Sequence, residues 1–238
     1  FYSEDCKNYS FIENLYKFIL IKKNSFIFES VEKGTIRGRY TIIGFNPDQI
    51  LNIENNKIVI NNFKKKQIIK KDVLKYLNDL LENFKVKSPN NLPRMASMLV
   101  GYFSYDIIRL IEKIPNKCKN DIKIPDIRLI RPKSLVIYDN FKKKIFYIQN
   151  IFKDEQINNY DLKYQSIKTT FKELKNFGKI KLPENFHKNK KKIKIKSNIS
   201  KTNFKKIVLK AKNYIKKGDI FQVVLSQRFE AEISKPPL

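Results

Sequence analysis

Ser197-Asn198-Ile199-Ser200 opens a stretch that runs through Lys217 to Gly218-Asp219-Ile220-Phe221-Gln222-Val223-Val224-Leu225-Ser226-Gln227-Arg228-Phe229. Phe204, Ile207, Val208, Ala211, Tyr214 and Ile215 recur at helical spacing and form one apolar stripe. Ser200 suits the N-cap, and Lys216-Lys217-Gly218 suits the stop. The residues that follow predict a strand, with Phe221, Val223, Leu225 and Phe229 on one face and Gln222, Ser226 and Arg228 among those on the other. An amide, a hydroxyl and a guanidinium on one strand face are costly to bury without partners. That face suits either the wall of a polar ligand pocket or the wet side of a half-exposed sheet.

Working outward, the preceding residues 178–196 are Lys-rich, contain Pro183 and lack periodicity, which marks a linker. The chain therefore divides into residues 1–177, the linker 178–196 and the segment 197–238. Within the first part, Ser10-x-x-Glu13 predicts a capped helix carrying Phe11, Leu15, Phe18 and Ile19. Residues 25–30 and 39–45 read as strands, the second stopped by Asn46-Pro47. Residues 50–60 read as a hairpin turning at Asn55-Asn56. Asp72 caps a helix with Val73, Leu77, Leu80, Leu81 and Phe84 as its stripe. Residues 98–105 form a strand in which Gly101 marks a bulge or a close backbone approach, and residues 106–113 a short helix. Residues 126–139 and 144–151 make a second hairpin, and 154–177 a long helix with Leu162, Ile167, Phe171 and Leu174. Mixed helices and hairpins, with few strand-helix-strand crossovers, predict an α+β fold of antiparallel sheets with helices packed on them.

The formal charge of +27 suggests a polyanion partner, and a basic nucleic-acid-binding protein is one reading of it. The distribution argues otherwise. Only seven of the 50 basic residues are arginine, the side chain that nucleic-acid readers favour, and lysine is spread over almost every exposed position. Abundant Lys, Asn, Ile, Phe and Tyr instead suit an A/T-rich genome, so no nucleic acid is expected. No apolar run is long enough to span a bilayer, so no membrane is expected either. Cys6 and Cys118 are too few for a disulfide framework, which fits a reduced cytoplasmic setting. The lone His187 sits in the linker, so neither a metal constellation nor a Ser-His-Asp site is legible.

A second interesting cluster is Glu29-Ser30 at one strand end with Arg39-Tyr40 at the start of the next. Glu29 could meet an ammonium and Arg39 a carboxylate, the two ends of a zwitterion. An internal Glu29–Arg39 ion pair that pins the loop is the other reading.

Three blocks resemble component I of anthranilate synthase. One is Phe26-Ile27-Phe28-Glu29-Ser30-Val31-Glu32 with Gly38-Arg39-Tyr40-Thr41-Ile42-Ile43-Gly44. The next is Leu99-Val100-Gly101-Tyr102-Phe103-Ser104-Tyr105-Asp106 with Arg109 and Glu112 through Pro115. The last is the C-terminal stretch quoted above. Lys33 stands where many relatives have Gly, and Thr41 where many have Ser.

The resemblance implies an N-terminal region followed by the first helix and strand of the chorismate-binding core. It implies a lyase that converts chorismate and ammonia to anthranilate and pyruvate, the first committed step of L-tryptophan synthesis. It also implies a glutamine amidotransferase subunit (component II) as partner, feedback by L-tryptophan, and Mg²⁺ whose ligands are expected beyond Leu238. Ser30 matches the tryptophan-contacting serine, with Glu29 beside it and Arg39 nearby. Gln222 occupies a pocket position where water-adding relatives carry a lysine base; an amide cannot act as that base, which suits an aminating enzyme. Aminodeoxychorismate synthase component I, of the folate branch, is the near alternative. Since the chain begins at Phe1 and stops at Leu238 without closing the core, a fragment that is inactive alone is expected.

Overall fold

The structure is a computed structural model that describes residues 1–7, 10–29, 37–84, 89–117, 120–152, 159–176 and 194–232. The chain separates into two compact units, residues 1–181 and 182–238.

The first unit is built on two unusually long strands. These are β3 (Tyr40–Glu54) and β7 (Ile127–Asp139), which pair antiparallel from Tyr40 opposite Asp139 to Ile53 opposite Ile127. Each changes its outer neighbour half-way along. On one side β2 (Phe26–Phe28) covers the first half of β3, and β4 (Lys57–Asn61) covers the second. On the other, β6 (Val100–Phe103) covers the first half of β7, and β8 (Lys144–Gln149) the second. The edges are β1 (Tyr2–Asp5) on β8 and β5 (Lys66–Ile69) on β4. All pairings are antiparallel, as the hairpin-rich sequence predicts.

Asn46-Pro47 does not end the strand, contrary to the sequence expectation. Pro47 lies opposite Pro132, and the register shifts between Pro47 and Gln49. Proline cannot donate to a ladder, so it is tolerated at a bulge. The two prolines face each other, so both missing N–H groups belong to one pair of the β3–β7 ladder, next to the shift. Asp48, at the shift, is gripped by Arg131 from the facing strand through bonds of 2.9 and 2.7 Å.

Local chemistry placed several boundaries correctly. Asn55 and Asn56 turn the β3–β4 hairpin with φ of 48° and 60°, left-handed values that asparagine tolerates and a tight hairpin requires. Asp72 caps α2 (Val73–Asn83), its carboxylate accepting from the Lys75 amide at 2.8 Å. Gly101 lies so close to β7 that an added Cβ would sit 1.7 Å from the Arg128 carbonyl oxygen. The short helix expected over 106–113 is a 3-10 helix, Tyr105–Leu110. β1 and β5 were not anticipated.

Strand alternation sorts the core. From one face, Ile43, Phe45, Val136, Tyr138 and Tyr147 pack against α1 (Ser10–Ile21) and α3 (Tyr160–Asn176). Helix α1 contributes Ile12 as well as the expected Leu15, Phe18 and Ile19. Helix α3 contributes Ile167, Phe171 and Leu174, while Leu162 is left exposed. From the opposite face, Ile42, Leu135, Ile137 and Phe146 pack against Ala96 and Met95. Helix α2 covers the other half of the sheet with Val73, Tyr76, Leu77 and Leu80.

In the second unit, α4 (Lys201–Lys217) follows the sequence reading closely. Ser200 accepts from the Asn203 amide at 3.2 Å, and Gly218 closes the helix at φ 78°. Residues 221–228, expected as a strand, are not in a ladder. Among the described residues of this unit, only β10 (Phe229–Ala231) pairs, with β9 (Ile195–Ser197). A strand exists by hydrogen bonding to a neighbour, and of the described residues 221–228 only Arg228 finds one for its backbone, in Asn198. Phe221 and Val224 are consequently exposed. Ile195 and Lys196, at the end of the stretch read as linker, belong to β9.

Candidate functional site

The strand ends that sequence reading singled out meet at one cavity. The end of β2 delivers Phe28 with Glu29 just after it, and the start of β3 delivers Tyr40 with Arg39 just before it. The pairing of Phe28 with Ile42 sets this juxtaposition. Ile42 and Met95 complete an apolar floor beneath the charged groups, and the cavity is open, with a volume of about 430 Å³. Such a volume admits an amino-acid-sized ligand. Glu29 is exposed. Ser30 lies outside the described residues.

Arg39 is held in a way the sequence did not reveal. Its Nε and Nη2 donate to the two carboxylate oxygens of Asp139 at 3.0 and 2.6 Å. The guanidinium also stacks on Tyr40 at 4.9 Å and on Phe141 at 5.5 Å. Asp139 is almost wholly buried, and its Oδ1 accepts two further bonds, from the Phe141 and Lys142 amides of the β7–β8 turn. The partner of Arg39 thus comes from the end of the facing strand. The two residues are a hundred positions apart, and no local signal in the sequence links them.

Burial alone would push the Asp139 carboxyl upward. The Arg39 fork and the two turn amides outweigh it and hold the group below the ordinary aspartate value. A carboxyl whose folded pKa is depressed contributes stability that is present above its unfolded value, about 3.9, and is lost as pH falls through the folded value. Urea midpoints of the protein are therefore expected to fall between pH 5 and pH 3. Asp139→Asn should flatten that fall, and an unchanged slope in the variant would refute the assignment.

Gln222 belongs to the second unit, where it is exposed in the irregular segment before β10. Nearby, Asn198 and Arg228 extend the β9–β10 pairing: the Asn198 amide donates to the Arg228 carbonyl at 3.0 Å, and its Oδ1 accepts from the Arg228 amide at 2.8 Å. The Ser197 hydroxyl donates to Gln227 Oε1 at 3.2 Å. The serine and the asparagine of the quoted motif thus fasten its two ends together.

Among the described residues, no group of three or more His, Cys, Asp and Glu is placed to hold a metal ion. No helix among them is long and apolar enough to cross a membrane.

Comparison with known proteins accords with this architecture. The chain is 36% identical over 218 residues to anthranilate synthase component 1 of Acetivibrio thermocellus, covering 89% of this chain and 44% of that protein. It is 30% identical over 222 residues to anthranilate synthase component 1 of Cereibacter sphaeroides, covering 91% of this chain and 44% of that protein. The chain thus spans less than half the length of these relatives. In structure it is similar to anthranilate synthase component I from Streptococcus pneumoniae TIGR4, with a TM-score of 0.68 at 28% identity, over 90% of this chain and 46% of that one. A family profile described as chorismate binding enzyme matches residues 23–238, so that it takes in the cavity-forming strands, the central sheet and the second unit alike. By that match, the chain belongs to the chorismate-binding enzyme family.

Proposed function

We propose that the protein acts as component I of an anthranilate synthase, aminating chorismate to anthranilate with release of pyruvate on the way to L-tryptophan. The observation that carries this reading is the relatives' shared name over about nine-tenths of the chain. In this proposal ammonia is supplied by a glutamine amidotransferase subunit and Mg²⁺ assists substrate binding. The described residues provide no donor set for the ion, and no step is assigned to it.

The first unit contributes regulation. In the proposal, the cavity between β2 and β3 takes L-tryptophan as feedback inhibitor. Its apolar floor faces the indole, Glu29 meets the ammonium, Arg39 addresses the carboxylate, and Ser30 adds a contact. Feedback then works by differential affinity: tryptophan favours a state that binds chorismate poorly. Gln222 is proposed to line the chorismate pocket, where its uncharged amide spares ammonia a competing water-activating base.

The test uses protein expressed from the complete reading frame, incubated with chorismate, Mg²⁺ and ammonium. Anthranilate fluorescence should rise, and L-tryptophan should abolish it. Formation of aminodeoxychorismate would move the assignment to the folate branch, and absence of any aminated product would remove it.

A further inference from the structure

Asp139 has no role in that reading, yet its surroundings are built around Arg39. Its carboxylate is buried and nearly saturated. Oδ1 receives Arg39 Nε and the Phe141 and Lys142 amides, all at 3.0 Å, while Oδ2 receives Arg39 Nη2 at 2.6 Å. The tight turn after β7 therefore fixes the carboxylate, and the carboxylate fixes the guanidinium in plane and in rotation. A further bond, from the Asn140 amide to the Arg39 carbonyl at 2.8 Å, ties the same turn to the backbone of Arg39. The guanidinium carbon also lies over the rings of Tyr40 and Phe141, at 4.9 and 5.5 Å from their centroids. Nη1 takes no part in the pair with Asp139. An arginine left unsupported at this partly exposed position would lose the rotamer entropy of a long side chain on meeting a ligand.

We propose that Asp139 is a positioning residue of the effector cavity: it pre-sets the Arg39 fork so that the edge not spent on Asp139 recognises the carboxylate of a zwitterionic aromatic ligand. The inference rests on the reading that this cavity takes an amino acid. It adds a selectivity. Asp139 acts only through Arg39 and only on the carboxylate end, so it separates L-tryptophan from tryptamine, which keeps the indole and the ammonium and lacks the carboxylate. It also offsets the charge of Arg39, so the cavity does not attract anions indiscriminately.

Calorimetric titration of the protein from its complete reading frame, with L-tryptophan and with tryptamine, tests this. Asp139→Asn should weaken L-tryptophan about tenfold, the scale of a charge-assisted hydrogen bond, and leave tryptamine unchanged. Adding Asp139→Asn to Arg39→Ala should cost nothing further. Should Asp139→Asn fail to fold, Arg39→Lys keeps the charge but cannot take the two-pronged bond, and the same ligand-selective loss is expected. Equal weakening of both ligands, or unchanged L-tryptophan binding in these variants, overturns the inference and leaves the cavity assignment intact. Failure of the unaltered protein to bind L-tryptophan overturns the cavity assignment itself, and the inference with it.

Discussion

Gly101→Ala is expected to destabilise the first unit by about 3 kcal/mol or more, near the upper end of what overpacking costs. The new methyl carbon would lie 1.7 Å from the Arg128 carbonyl oxygen and 2.9 Å from the Leu129 Cα. Both are backbone atoms of β7, which β3 holds from the other side. The strand cannot retreat without breaking the Tyr102–Arg128 and Gly101–Leu129 pairing. Gly44→Ala is the internal control. There the added carbon meets the Phe26 ring at 2.1 Å. A half-buried ring at the edge can swing away, so about 1 kcal/mol is expected. Urea unfolding of both variants against the unaltered protein decides the matter. If Gly44→Ala is the costlier change, the backbone approach at Gly101 is not the constraint described.

Phe171→Ala should cost about 4 kcal/mol, the usual range for removing a buried phenylalanine. Phe171 is 1% exposed and is the point where α1, α3, β1 and β8 converge. Its ring lies 5.2 Å from Tyr2, 5.7 Å from Phe11 and 5.8 Å from Tyr147. Truncation removes the buried area and three aromatic contacts, and it leaves a cavity between a helix and a sheet that cannot close over it. The urea midpoint should fall by about 2 M for an m-value near 2 kcal/mol/M. Leu162, about two and a half turns earlier on α3 and 69% exposed, should tolerate alanine with little change. A comparable loss at both positions would mean that α3 does not dock through the face described.

How much of this was legible depended on the range of the interaction involved. Asp72, Ser200, Gly218 and the Asn55-Asn56 turn act within a few residues of themselves, and each does what its side chain predicts. Gly101 was legible as a bulge or a close approach, the usual reasons for a glycine inside a strand, and the structure shows the close approach. The cavity was legible in part. Glu29 and Arg39 were named from chemistry, and the β2–β3 pairing brings their strand ends together. Asp139 was read only as the end of a hairpin strand, since nothing within a helical turn or a strand of it points to Arg39.

The sequence by itself determined the caps of α2 and α4, the Asn55-Asn56 turn and the antiparallel class. These follow from backbone preferences and from periodicities that repeat within a window of some ten residues. Only the tertiary structure decided that Pro47 is absorbed into a long strand, since its tolerance depends on facing Pro132. It also decided that residues 221–228 stay out of a ladder, although their pattern alternates. A strand, unlike a helix, satisfies its backbone with a segment from elsewhere in the chain, so its pattern states a capacity that a partner must complete. The Arg39–Asp139 pair has the same origin: the register of β3 on β7 places Tyr40 opposite Asp139, and that register, set along the whole length of both strands, brings the carboxylate to the cavity.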